Sequence, residues 1–229
     1  MRRRSALLVS AGVVVALLTG CLPAARPWAT PTTTGVGDGH YVGIIGDSLV
    51  FRAQYSSDIN WEIHLLDDAL AANGFHASVS ALMGAATPDI FGANYSQFVG
   101  FPEPGADIQI IGLGTNDANN NAVPVEDFEA NLRRYIASQP ASTCFRLINV
   151  YTGATSWGLD VTAPAYNAAL DDIAAVQPNV SVIDWNSIAL AHPEYFGTDP
   201  TQPHANASGE AAYRFIITFG AAGCAQTLE

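Results

Sequence analysis

The chain predicts an α/β protein in which about five strands, separated by helices, form a parallel, doubly wound sheet with right-handed crossovers. Three observations carry this expectation. Short β-branched runs alternate with stretches of helical periodicity from His40 to the end of the chain. The first run, Tyr41-Val42-Gly43-Ile44-Ile45, ends in Gly46-Asp47-Ser48-Leu49, the pattern of a buried parallel strand turning sharply into a helix. Another, Asp107-Ile108-Gln109-Ile110-Ile111, runs straight into Gly112-Leu113-Gly114-Thr115-Asn116-Asp117. Ligands of open α/β sheets bind at the carboxyl ends of the strands, so both turns mark ground for a site.

Taken in order, Asp58 to Asn73 carries Ile59, Ile63, Leu66 and Leu70 on one face and closes on Asn73-Gly74, which predicts an amphipathic helix with a glycine cap. His76 to Leu82 reads as a strand, followed by Gly84 in a polar turn and a partly helical stretch from Pro88 to Val99. Pro124 to Ser138 is a helix with Glu126 and Asp127 in its first turn and Arg133 and Arg134 near its end, as the helix dipole favours. A strand over Arg146 to Tyr151, a helix over Pro164 to Val176, a strand over Val180 to Trp185 and a helix over Ser208 to Phe219 complete the alternation.

The 229 residues do not all belong to this fold. Arg2, Arg3 and Arg4 precede an apolar run from Ala6 to Leu18, too short to span a bilayer comfortably, which reads as a secretory signal. Leu18-Thr19-Gly20-Cys21 resembles the lipobox of bacterial lipoproteins, in which the cysteine is acylated and becomes the mature amino terminus. The organisation expected is a signal over residues 1–20, a flexible Pro-, Thr- and Gly-rich tether over 21–39 and one domain over 40–229, lipid-anchored at Cys21 on the extracytoplasmic face. Ordinary secretion is the alternative.

All nine basic residues are arginines, and three lie in the signal, so the mature chain sets six against 21 acidic residues, a formal charge of −15. That balance excludes nucleic acid as a partner, because phosphate binding needs clustered basic side chains. Apolar content of 49% with 13% charge is ample for a buried core. Cys144 and Cys224, an even pair in an exported chain, predict a disulfide closing an 80-residue loop; without Cys-x-x-Cys spacing they make a poor metal site, and no metal or cofactor is expected.

Ser48, at the end of the first strand, is the candidate nucleophile. Acyl transfer by serine needs a base for the hydroxyl proton, donors for the oxyanion and usually a group that orients the base. Gly-x-Ser-x-Gly, the elbow of α/β-hydrolases, is absent. Taken together in order, Gly46-Asp47-Ser48-Leu49, Gly84, Gly114-Thr115-Asn116-Asp117 and His204 resemble the four blocks of the SGNH, or GDSL, hydrolase family across nearly the whole expected domain. The resemblance implies a flavodoxin-like three-layer α/β/α sandwich. It implies Ser48 as nucleophile, His204 as general base, and an oxyanion hole made by the backbone N–H groups of Ser48 and Gly84 and the side-chain amide of Asn116. Gly84 lacks a Cβ and lets the backbone approach an acyl group, and Asn116 offers uncharged donors. Asp47 is expected to hold the turn through backbone hydrogen bonds.

The fourth block departs from the family pattern. An acid commonly sits three residues before the histidine, where this chain has Thr201, and the nearest acid is Asp199 in Asp199-Pro200-Thr201-Gln202-Pro203-His204. Asp199 is the expected orienting acid. The alternative is a Ser-His dyad with a backbone carbonyl near Thr201 accepting from His204. Of the other histidines, His40 and His64 are expected to be solvated, His76 lies at the amino end of a strand, and His192 is a minor candidate for a substrate contact. The passage from Val182 through Trp185 and His192-Pro193-Glu194-Tyr195-Phe196 to His204 resembles SGNH domains fused to membrane acyltransferases that modify cell-wall polysaccharides. That likeness points to O-acyl groups on sugars, with Trp157 and Trp185 as candidates to line a sugar cleft. The function expected is a serine esterase acting on carboxylic esters through an acyl-Ser48 intermediate. An O-acyltransferase passing the group to a sugar hydroxyl and a non-catalytic surface binding protein are the alternatives.

Overall fold

The computed structural model describes residues 37–56, 62–91 and 105–228; the expected leader, Cys21 and the tether up to residue 36 lie outside them. Five strands, β1 (Tyr41–Gly46), β2 (His76–Ala81), β3 (Ile108–Gly112), β4 (Cys144–Ile148) and β5 (Val180–Ile183), form one sheet in the order β2-β1-β3-β4-β5. Every pair is parallel. β1 from its second residue and the whole of β3 are buried, as expected of central strands covered on both faces.

Helices α1 (Ser48–Tyr55), α2 (Leu65–Ala72) and α7 (Ala207–Leu228) pack together, with α7 against β3 and β4. Helix α4 (Val125–Ser138) packs with α5 (Leu159–Val176), which leans on β5 and on the short α3 (Thr115–Ala118). A further short helix, α6 (Trp185–Ala191), follows β5. This is the flavodoxin-like three-layer arrangement, and the strand order reverses between β1 and β3, the position where such folds open a crevice.

Register brings the site's turns level. Gly46 at the end of β1 is opposite both Ala81 of β2 and Gly112 of β3, so the segments that follow all three strands leave the same edge. Gly46 is required there for space: a Cβ would lie 2.0 Å from Cγ2 of Val50, because α1 folds back directly over the strand it follows.

Several element ends differ from expectation. Helix α2 begins at Leu65, where Oε1 of Gln54 on α1 accepts from the Leu66 and Asp67 N–H groups at 3.1 Å each, a cap delivered across the chain that local periodicity cannot show. The early part of that expected helix, residues 57–61, and most of the expected helical stretch to Val99 lie outside the described residues; Thr87–Phe91 is a short 3₁₀ turn. Helix α5 starts five residues before Pro164, because Leu159 and Ala163 are buried in the core and their burial extends the helix past the proline. Helix α7 runs on to Leu228, and its buried Cys224 forms the expected disulfide with Cys144 at a Cα separation of 5.8 Å.

Candidate active site

Ser48 opens α1 and is buried apart from 7% of its surface. Asp47 caps that helix: its carboxylate accepts from the Leu49 N–H at 2.8 Å, and its own N–H donates to the Gly112 carbonyl at 3.1 Å, fastening the turn to β3. Its role is the structural one expected. Burial pushes the Asp47 carboxyl up to about 7, against hydrogen bonds from Leu49 and Thr115 and assisted by the nearby Asp117.

Oγ of Ser48 lies 2.9 Å from Nε2 of His204 across 156 residues of sequence. His204 sits just before α7, whose start is set by Asn206: its side-chain oxygen accepts from the Ser208 and Gly209 N–H groups at 3.0 and 3.1 Å, and its amide donates to the Glu194 carbonyl at 2.7 Å. Burial, with a contribution from the Arg52 charge, holds the imidazole below the ordinary histidine range, so at neutral pH it is a free base able to accept the serine proton.

Gly84, in the turn after β2, has φ +82, a left-handed conformation that favours glycine. The Asn116 amide donates to the Ala85 carbonyl at 2.8 Å, so the third block reaches directly onto the loop of the second and keeps one N–H to spare. Beneath them, the Asp117 carboxylate accepts from the Thr87 N–H at 2.9 Å and from its hydroxyl at 2.6 Å, while Asn131 donates to that hydroxyl at 3.3 Å. Burial raises the Asp117 carboxyl too. Thr87 and Asp117 carry no signal of this role in the sequence beyond their place in the second and third turns.

The expected orienting acid is corrected. Asp199 is exposed, and its Oδ1 accepts from both the N–H and the hydroxyl of Thr201, at 3.1 and 2.5 Å, instead of meeting the base. The Thr201 carbonyl, the alternative acceptor, is taken by the Ser156 N–H at 3.2 Å and its hydroxyl at 2.6 Å. Among the described residues, Nδ1 of His204 therefore has no hydrogen-bond partner. The physical reason is local: two residues beyond an aspartate, a backbone N–H and a hydroxyl are nearer than an imidazole five residues on, and the carboxylate closes a tight turn on them.

Other expectations sort by burial. Trp185 is fully buried among Tyr195, Phe196 and Tyr213 and offers no exposed face to a sugar, whereas Trp157 stands half-buried with its ring perpendicular to that of His204 at 5.7 Å. His40 and His64 are not simply solvated: they approach Asp107 at 3.4 Å and Asp67 at 3.2 Å. His192 pairs with Glu194 at 2.8 Å. Among the described residues, no group of three His, Cys, Asp or Glu could hold a metal ion, and no helix is long and apolar enough to cross a membrane.

No protein-family model matches the chain, and no curated protein is significantly similar to it. Solved structures do match. The C-terminal catalytic domain of Streptococcus pneumoniae peptidoglycan O-acetyltransferase A is 21% identical, covering 83% of this chain and 94% of its own, with a TM-score of 0.53. A lipase/acylhydrolase from Enterococcus faecalis is 18% identical over 80% of this chain and 96% of its own, with a TM-score of 0.62. A lipolytic G-D-S-L protein from Veillonella parvula is 17% identical over 79% of this chain and 98% of its own, with a TM-score of 0.58. The described domain therefore has the flavodoxin-like α/β/α fold of the GDSL/SGNH lipases and acylhydrolases.

Proposed function

We propose that the chain is a serine esterase of the SGNH/GDSL type, acting on carboxylic esters through an acyl-Ser48 intermediate. The observation that carries this reading is the 2.9 Å approach of Oγ of Ser48 to Nε2 of His204 at the carboxyl edge of the sheet. In the mechanism, His204 takes the hydroxyl proton as Ser48 attacks the ester carbonyl. The oxyanion is received by the N–H groups of Ser48 and Gly84 and the free N–H of Asn116. Collapse breaks the ester bond and His204 returns the proton to the leaving alcohol. Water, deprotonated by His204, then attacks the acyl-enzyme and releases acid and Ser48. Because Asp199 is turned to Thr201, the working unit is a Ser-His dyad.

The substrate class is an O-acylated glycan or a small acyl ester. One of the matching structures, the catalytic domain of a peptidoglycan O-acetyltransferase, supports a sugar as the alcohol portion. That match also supports the second reading, transfer of the acyl group to a sugar hydroxyl. Measuring how the acyl group partitions between water and a glycan acceptor separates the two. Export fits the disulfide, since such bonds persist in oxidising compartments, and Cys21 is the proposed acylated anchor.

The test is hydrolysis of p-nitrophenyl acetate by the purified chain and by Ser48→Ala. Turnover that disappears in the variant supports the esterase. Absence of turnover in the intact protein, or turnover unchanged in Ser48→Ala, overturns it in favour of a surface binding protein.

A further inference from the structure

Among the described residues no carboxylate orients the imidazole of His204, yet the loop that carries it is bonded along its length by the segment from Tyr151 to Trp157. Tyr151 donates its hydroxyl to the Pro200 carbonyl at 3.0 Å. Ser156 donates its N–H and hydroxyl to the Thr201 carbonyl. The indole N–H of Trp157 donates to Oε1 of Gln202 at 3.2 Å, and its ring then meets that of His204 at 88°. The segment is itself anchored: Trp157 closes a 3₁₀ turn on the Ala154 carbonyl at 3.0 Å, and Ala154 and Leu159 on either side are fully buried.

We propose that Trp157 is the positioning residue for the general base, holding the His204 imidazole onto Ser48 in the place where a triad uses a carboxylate. This rests on the reading of Ser48 and His204 as nucleophile and base. A side chain pinned at one end by Gln202 and wedged at the other against the imidazole removes the rotations that would carry Nε2 away from Oγ. When the serine proton passes to Nε2 and Nδ1 keeps its own, the resulting imidazolium keeps the Trp157 ring beside it, 5.7 Å between centroids. The charged and titratable groups facing the imidazole are few. From α1 come the Ser48 hydroxyl and Arg52, the latter 3.9 Å from Glu210 of α7. In its own loop Asp199 is turned away, and Thr155–Trp157 brings no charge. Trp157 also shields the ring from water, in the same direction as the depressed basicity of His204.

The test is Trp157→Ala, with Trp157→Phe and Gln202→Ala as companions that keep a ring or remove only its anchor. Misplacement of the base by an ångström predicts a fall in kcat of about 100-fold for Trp157→Ala, with KM within about threefold of wild type. The acid limb of the kcat/KM profile, and the imidazole titration followed by nuclear magnetic resonance without substrate, both move up towards the ordinary histidine value as water reaches the ring. Trp157→Phe retains the limb and loses part of kcat; Gln202→Ala lowers kcat with KM unchanged. The proposal is overturned if Trp157→Ala, or Gln202→Ala and Trp157→Phe where the alanine variant does not fold, keeps wild-type kcat and titration, or if only KM rises, which makes Trp157 a substrate contact. Turnover that survives Ser48→Ala is a different failure: it removes the esterase reading itself.

Discussion

The hydroxyl of Thr87 donates to the Asp117 carboxylate at 2.6 Å, joining the turn after β2 to the turn after β3. Those turns carry the proposed oxyanion donors Gly84 and Asn116, so a buried bond between residues 30 apart sets how the donors sit relative to each other. Thr87→Val keeps the shape and leaves the Asp117 oxygen with only the Thr87 N–H. It is expected to cost about 1–3 kcal/mol of stability and to lower kcat by about tenfold through displaced donors. Denaturant midpoints and initial ester hydrolysis rates check both, and Thr87→Ser recovers most of each.

Asp199→Ala is expected to leave kcat/KM within about tenfold of wild type, since removing the acid of a working triad costs about 10⁴-fold. Its carboxylate serves Thr201, and its removal loosens the loop without unpairing the base. A loss of several orders of magnitude in steady-state kinetics would show that the carboxylate swings onto His204 during turnover.

Asp47 makes stability depend on pH with a definite sign. Its carboxyl titrates at about 7 in the folded chain against 3.8 when unperturbed, so the folded state binds this proton more tightly. The contribution is fully present below 3.8, is lost as pH rises towards 7, and is absent above; three units correspond to about 4 kcal/mol. Asp117 shifts in the same direction. Asp47→Asn keeps an oxygen for the Leu49 N–H and removes the titration, so relative to wild type it gains stability between pH 4 and pH 8. Urea denaturation at the two pH values reads the difference; equal gains at both would contradict it.

The Cys144–Cys224 disulfide closes a loop of 80 residues and ties the end of α7 to the first residue of β4. Reduction is expected to lower stability by about 4 kcal/mol through loop-closure entropy. The bond lies at the amino end of β4, away from the edge that holds Ser48, so at a temperature where the reduced chain stays folded its kcat is unchanged. Thermal melts and rates with and without reductant check both parts.

Much of this protein is legible along the chain because parallel sheets write their strands as β-branched runs and their functional turns as glycine-bounded breaks. The strand after Tyr41, the turn at Ser48 and the break at Gly114-Thr115-Asn116 are local in that sense. Element ends were less legible. Gln54 caps α2 from another helix, and Leu159 continues α5 past a proline by burial, so the deciding partners are distant in sequence.

By itself the sequence determined the α/β class, the disulfide pair, the place of the candidate nucleophile Ser48 at a strand end and the order of the turns that flank it, since each depends on residues close together or on residue type alone. Only the tertiary structure decided how His204 is held. Whether an aspartate reaches an imidazole depends on which groups lie nearer to each, and here Thr201 lies nearer to Asp199 while a tryptophan from another loop packs against His204.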